Sequence, residues 1–283
     1  MGNKEIKKEK NKLLTGFTLV ELAAAMVIFG ILVSIVVAGV GGVREKARIA
    51  AGLQFSQNIK NGIGDELVGE WSFENNLYDS SGNGNNCDWS GAGPTYLDNT
   101  ASDNLGVALN FNGSSNAAIC GSSPSLNISG DEITIEAWIY KQPSTGTRYV
   151  LAKSGANWWS YQYALVNYGK YIFLNLNGKL AGNSGEVISD NRWYHVTVTY
   201  NRNKTSNQVR YYINGAEVSS ANYSTPITPN NYPLRIGRGG MVTAYFFKGN
   251  LDEIRIYGKS LTLAQIQQHY VEGAKKKGLL AEK

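Results

Sequence analysis

The distribution of apolar and polar positions divides the chain into two textures. From Leu22 to Val43 there are 22 residues without a charge. As a helix at about 1.5 Å per residue they reach roughly 33 Å, enough to span a bilayer. Glycines cluster at Gly39, Gly41 and Gly42, where a helix is weakened. Helical spacing resumes with Val43, Ala47, Ala50, Ala51 and Ile59, and the glycines of "NGIGDE" (61–66) end it. From Leu67 onward the period changes. Short runs of Val, Ile, Tyr, Trp and Phe, such as "ITIEAWIY" (133–140), "YIFLNL" (171–176), "WYHVTVTY" (193–200), "QVRYYI" (208–213) and "LDEIRIY" (251–257), alternate with Gly, Asn and Ser. Asn177-Gly178 and Asn214-Gly215 each follow such a run and predict tight hairpins. Many short strands with close turns predict a mainly β, antiparallel sandwich.

Composition agrees with that division. The 283 residues hold 32 Gly, 17 Tyr and 6 Trp, which suits turns and strands rather than a helical bundle. The net charge is +5, with much of the excess at the two ends, so no nucleic-acid face is expected. Lys4, Lys7, Lys8, Lys10 and Lys12 precede the apolar run, which predicts a cytoplasmic N-terminus and an exported remainder. No A-x-A site follows the run, and it is longer than an ordinary signal-peptide core.

Gly16-Phe17-Thr18-Leu19-Val20-Glu21, after a short basic leader and before a long apolar helix, resembles the processing segment of type IV prepilins. The resemblance implies a leader peptide over 1–16. It implies cleavage between Gly16 and Phe17 by a prepilin peptidase, and N-methylation of Phe17. A pilin-type helix would then cover 17–64, with its transmembrane segment at 19–43. A carboxylate inside hydrocarbon costs at least about 2.5–3.5 kcal/mol. Glu21 is expected in the first helical turn, where the helix dipole eases its charge, and where it can pair with the Phe17 amine of a neighbouring pilin subunit. Pilin helices of this type often carry a proline midway; this one has glycines instead.

A second set of segments, "GEWSFENNLYDSSGNGNN" (69–86), "GVALNFNGSSNAAI" (106–119), "EITIEAWIY", "RWYHVTVTYNRNKTSNQVRYYINGAEV" (192–218), "LRIGRG" (234–239) and "FKGNLDEIRIYGKSLTLAQIQQHY" (247–270), occurs in order. Together they resemble the laminin-G-like jelly rolls within the concanavalin A-like lectin/glucanase folds, and assign residues 65–273 to such a domain. Thr262 and Gln265 form a capping box for a short terminal helix, Leu263 to Tyr270, that lays Ile266 and Tyr270 on the sandwich. Residues 274–283 read as a solvated basic tail.

Candidate chemistry is sparse. Cys87 and Cys120, an even pair in an exported domain, are expected to form one disulfide. The laminin-G-like resemblance implies a calcium ion at the sandwich rim, with Asp79 and Asp252 as candidate oxygen ligands; the alternative is that Asp79 caps a turn and Asp252 pairs with an arginine. Trp89, Trp158, Trp159 and Tyr161 are candidate ligand-binding aromatics, for such faces stack on sugars and anchor proteins, although Trp and Tyr in strands also serve as packing. Glu132 and Glu136 lie on one face of a strand, as a hydrolase carboxylate pair would. The glucanases of this fold carry an aspartate between them, where this chain has Thr134, so catalysis is not expected. His195 reads as a structural strand residue and His269 as exposed.

These readings combine into a single-pass protein of the cytoplasmic (inner) membrane. Its head lies outside, on a surface pilus after assembly, as a minor or tip pilin that binds a glycan or a surface protein. The alternatives are a pseudopilin of a type II secretion system and a pilin-anchored carbohydrate-active enzyme.

Overall fold

The computed structural model describes residues 66–98, 106–185, 188–240 and 245–280. The expected leader, the 19–43 span, Gly16, Phe17 and Glu21 lie outside them. Among the described residues, no helix is long and apolar enough to cross a membrane.

The described residues form a two-sheet antiparallel sandwich. Its strands are β1 (Leu67–Trp71), β2 (Asp88–Ser90), β3 (Thr95–Asp98), β4 (Val107–Asn112), β5 (Ala117–Ile119), β6 (Glu132–Lys141), β7 (Thr147–Ser154), β8 (Tyr161–Tyr168), β9 (Tyr171–Leu176), β10 (Lys179–Asn183), β11 (Trp193–Asn201), β12 (Val209–Ile213), β13 (Ala216–Ala221), β14 (Leu234–Ile236) and β15 (Lys248–Tyr257). One sheet runs β13-β12-β11-β6-β15-β4-β3, with β1 also pairing β15; the other runs β10-β9-β8-β7-β14-β5-β2.

Alternation along the strands builds the core. In β6, Ile133, Ile135, Ala137 and Ile139 face the opposite sheet, where Leu165, Ile172, Leu174 and Ile236 meet them. The residues between them in β6 point the other way, as period-two geometry requires. The two Asn-Gly hairpins form as expected. Asn177 and Asn214 sit at φ 52° and 52°, and Gly178 and Gly215 at φ 77° and 76°, the left-handed pair that a tight two-residue turn needs. Cys87 and Cys120 are bonded, at the mouth of the β2–β5 pair whose register joins Asp88 to Ile119.

Helix α1 (Leu263–Lys276) closes the outer face of the eight-stranded sheet. Its start is the expected capping box: the Thr262 N–H donates to Gln265 Oε1 at 2.7 Å, and Gln265 N–H donates to Thr262 Oγ1. Its end differs from expectation. The helix continues to Lys276, Ala274 is buried, and Lys277 is 2% exposed, ion-paired with Asp252. The run beginning at 274 therefore enters the fold before it reaches solvent. Gly273 allows this, because a Cβ there would stand 2.2 Å from Trp138 Nε1.

Candidate ligand-binding site

The loops at one end of the seven-stranded sheet enclose an open pocket of about 280 Å³. Three segments build it: the 3-10 turn Trp158–Ser160 between β7 and β8, the Asn177 hairpin between β9 and β10, and the loop 226–233 before β14. Trp159 and Tyr232 stand at its edge, 62% and 46% exposed. Tyr161, Asn177, Thr228 and Asn230 also line it.

Side-chain amides fasten these segments together. Asn177 Nδ2 donates to the Pro226 carbonyl at 2.7 Å, and Thr228 N–H donates to Asn177 Oδ1 at 2.9 Å, which ties the loop to the hairpin. Asn230 Nδ2 donates to the Ser160 carbonyl at 3.0 Å, which ties the same loop to the tryptophan turn. Gly155 leaves room for Tyr232, since a Cβ there would be 2.7 Å from the tyrosine ring.

Beneath the loop lies Lys153, fully buried. Its Nζ donates to the Asn230 carbonyl at 2.7 Å, to Asn230 Oδ1 at 3.1 Å and to the Tyr232 carbonyl at 2.7 Å. Burial pushes its pKa down to about 8. An ammonium with three oxygen acceptors fixes the two residues that carry Tyr232 into the pocket, at the expense of desolvating a charge.

Among the described residues, no carboxylate, imidazole or thiol lines this pocket. It offers apolar ring faces bordered by amide and hydroxyl groups, an arrangement suited to holding a ligand rather than moving protons.

The sequence candidates separate accordingly. Trp159 and Tyr161 come together in the pocket. Trp158 occupies the same turn, and its side chain falls outside the described residues. Trp89 packs against the core, its ring 5.7 Å from Phe111 and its indole N–H on the Ala92 carbonyl; its apolar face completes the sandwich. Asp79 accepts backbone N–H groups from Glu70, Ser81 and Asn85, all at 2.8–2.9 Å, so it organises a turn. Asp252 faces Lys277 instead of an arginine. Among the described residues, no three or more His, Cys, Asp or Glu side chains gather as a metal-binding group.

The carboxylate pair has structural partners. Glu132 Oε2 accepts the Ser260 N–H at 2.9 Å. Glu136, with no exposed surface, accepts from Thr197 Oγ1 at 3.1 Å and lies 2.8 Å from His269 Nδ1. Burial alone would raise its pKa, but the charge and hydrogen bond of His269, with smaller contributions from His195 and Arg255, bring it to about 2. His269 is thus not the exposed residue expected: its side chain is 12% accessible, drawn under α1 by Glu136 and stacked on Tyr257.

Tyr232, Asn177, Asn230 and Lys153 are the site residues that sequence reading missed. Asn177 already carried a signal, as a hairpin residue. Nothing local marks Lys153 as buried, for burial there is set by a loop 77 positions away.

Residues 111–267 match the family model described as Laminin_G_3, concanavalin A-like lectin/glucanases superfamily, and the chain belongs to that family. No curated protein matches the chain. Among solved structures, it resembles domain 4 of AbnA, a GH43 extracellular arabinanase from Geobacillus stearothermophilus solved with arabinotriose. That match has a TM-score of 0.56 and 21% identity, over 72% of this chain and 97% of that one. The binding domain of Paraclostridial Mosquitocidal Protein 1 gives 0.54 and 20%, over 74% and 52%. The botulinum neurotoxin serotype D ligand-binding domain, solved with N-acetylneuraminic acid, gives 0.55 and 17%, over 75% and 52%. The chain thus spans about half the length of the two toxin fragments. At these identities the likeness concerns the fold.

Proposed function

We propose that this protein is a surface lectin: a sandwich head that binds glycan through the Trp159–Tyr232 pocket, carried on a membrane-anchored pilin-like stalk. The observation that carries the binding reading is the pair of exposed aromatic side chains, Trp159 and Tyr232, held at one pocket by a loop that a buried lysine anchors. Leaving large apolar rings in water is unfavourable unless something covers them. Sugar rings do so with their C–H faces while amides and hydroxyls meet their oxygens. Family membership supports the reading, as do two structures of like fold solved with sugars, arabinotriose and N-acetylneuraminic acid.

The purified full chain, in detergent, should bind a defined set of sugars on a glycan array. Trp159→Ala and Tyr232→Ala should each weaken that binding about ten-fold or more with little change in melting temperature. Binding that is unaffected by both substitutions removes the pocket from the proposal.

The stalk rests on Gly16, Phe17 and Glu21. Prepilin peptidase would cut after Gly16, and Glu21 would meet the methylated Phe17 amine of the next subunit. Mass spectrometry of surface-sheared protein should find a chain beginning at Phe17. One beginning at Met1, or cut near Gly42, excludes this part of the proposal.

A further inference from the structure

The two sheets differ in charge. The strands of the eight-stranded sheet carry Glu70, Asp98, Glu132, Glu136, Glu217, Asp252 and Glu253 against Lys141, Arg210, Lys248 and Arg255. Those of the seven-stranded sheet carry Asp88 alone against Arg148, Lys153, Lys179 and Arg235, and Arg238 follows β14 after one glycine. Among the described residues, none of the ion pairs involves a cation of the seven-stranded sheet or Arg238.

Neither Arg235 nor Arg238 lines the pocket, but Arg235 is joined to its wall through Ser154. Arg235 Nη1 donates to the Ser154 carbonyl at 2.7 Å, and the Ser154 N–H donates to the carbonyl of Pro233, next to Tyr232. The Arg238 guanidinium lies 5.7 Å from the Phe246 ring centroid. Just after Arg238 the chain passes against Tyr161, which also lines the pocket: a Cβ on Gly239 would be 2.8 Å from Tyr161 Oη. The Nε of each arginine and the Oγ of Ser154 are buried without a hydrogen-bond partner. Burial lowers both guanidinium pKa values, and Arg238 lowers that of Arg235 further, so the two positive charges feel each other. The following segment, 239–247, contains no acidic residue.

Polar groups left unpaired in this way cost stability unless a ligand completes them. Two neighbouring guanidinium groups without a counter-charge suit a carboxylate, which a pair of N–H forks can hold bidentately. We propose that the glycan is acidic: one sugar ring lies on Trp159 and Tyr232, and a carboxylate of the same oligosaccharide sits at Arg235 and Arg238. The proposal rests on the sugar-binding reading of the pocket and specifies its ligand class. Both sialic acids and uronic acids offer a carboxylate on a pyranose ring.

Calorimetry on the full chain in detergent can separate these sources, with sialyllactose set against lactose, and trigalacturonic acid against its methyl ester. At least one acid should bind about ten-fold or more tightly than its uncharged counterpart, and the preference should shrink as salt rises. The acid that shows the preference identifies the source. Arg235→Gln and Arg238→Gln should bring the acid down to the level of its neutral partner and leave the neutral partner unchanged, whereas Trp159→Ala should weaken both. Equal binding of acid and neutral forms by the unaltered protein overturns the acidic ligand while leaving the sugar pocket standing. Absence of binding to all four probes and to the glycan array removes both. The comparison on the unaltered protein decides the question even if an arginine variant fails to fold.

Discussion

His269 Nδ1 lies 2.8 Å from Glu136 Oε2, across 133 positions of sequence. The contact joins the last helix to the middle of the sandwich and defines a buried polar layer beneath α1. Trp138, His195 and Tyr270 stack through that layer, with ring centroids 5.3 Å apart for Trp138–His195 and 6.1 Å for His195–Tyr270. Both nitrogens of His195 are buried without a partner, so this histidine serves as an aromatic plate.

The layer sets the response to acid. Burial pushes His195 down from 6.5 to about 4, so the unfolded chain takes up its proton first, and stability falls as pH drops through that window. Burial pushes Asp252 up from 3.8 to about 6 despite Lys277, so the folded chain takes up this proton first, and stability is gained over nearly the same range. Glu136, brought from 4.5 to about 2, adds a loss confined to pH below 4.5, and Glu253, lowered by Arg255 and Lys276 against its burial, acts in the same direction. The melting temperature should therefore change little from pH 6.5 to about 4.5 and fall below it. His195→Phe keeps the stack and removes one opposing group. Its melting temperature relative to the parent should rise by several degrees between pH 7 and 4.5, for an effect of at most about 3 kcal/mol. A difference that stays constant with pH would contradict this account.

Lys277 neutralises Asp252 inside the protein and lies 4.4 Å from the Trp193 ring centroid. Lys277→Met keeps the aliphatic stem but leaves the aspartate without its ammonium, and should destabilise by about 3 kcal/mol at pH 8. The deficit should be smaller at pH 5, where Asp252 protonates, and smaller again in Lys277→Met with Asp252→Asn. Urea unfolding of the single and double variants at both pH values provides the measurement. Equal deficits at the two pH values would show that the charge is not the cause.

The Cys87–Cys120 bond closes a 33-position separation. The loop-entropy relation gives about 3–4 kcal/mol for a closure of that length. Replacing both residues with serine should lower urea stability by that order in an otherwise intact fold. A loss well below 1 kcal/mol would mean that the reduced, unfolded chain is already constrained.

Lys153 should matter more to the pocket than to the sandwich. Lys153→Met leaves the Asn230 and Tyr232 carbonyls without their donor. Hydrogen exchange should accelerate over 228–233 while the strands remain protected, and glycan affinity should fall about ten-fold. In the parent, affinity should decline above about pH 8, where Lys153 loses its proton and can no longer donate to all three oxygens. Uniform acceleration of exchange across the domain would assign Lys153 to the core instead.

The sequence by itself determined what period and turn chemistry can encode. The alternation in β6 and β11, the Asn-Gly hairpins and the Thr262–Gln265 capping box each depend on residues a few positions apart, and each is found in the structure. The cysteine pairing was legible because the count allowed one partner. Tertiary structure decided whatever depends on distant segments. A register shift between Asp252 and Arg255, with Glu253 at φ 46°, sends Leu251 and Ile254 to the core and turns Asp252 and Glu253 together toward α1. A strict period of two would have placed one of them inside the sandwich. Lysines that read as a solvated tail became partners of those acids, because a carboxylate turned under a helix requires a counter-charge. The same reason separates two tryptophans that look alike in sequence. Trp89 lies beside Phe111 and completes a core, whereas Trp159 sits on a tight turn that places it beside a loop 70 residues further on, where it can meet a ligand.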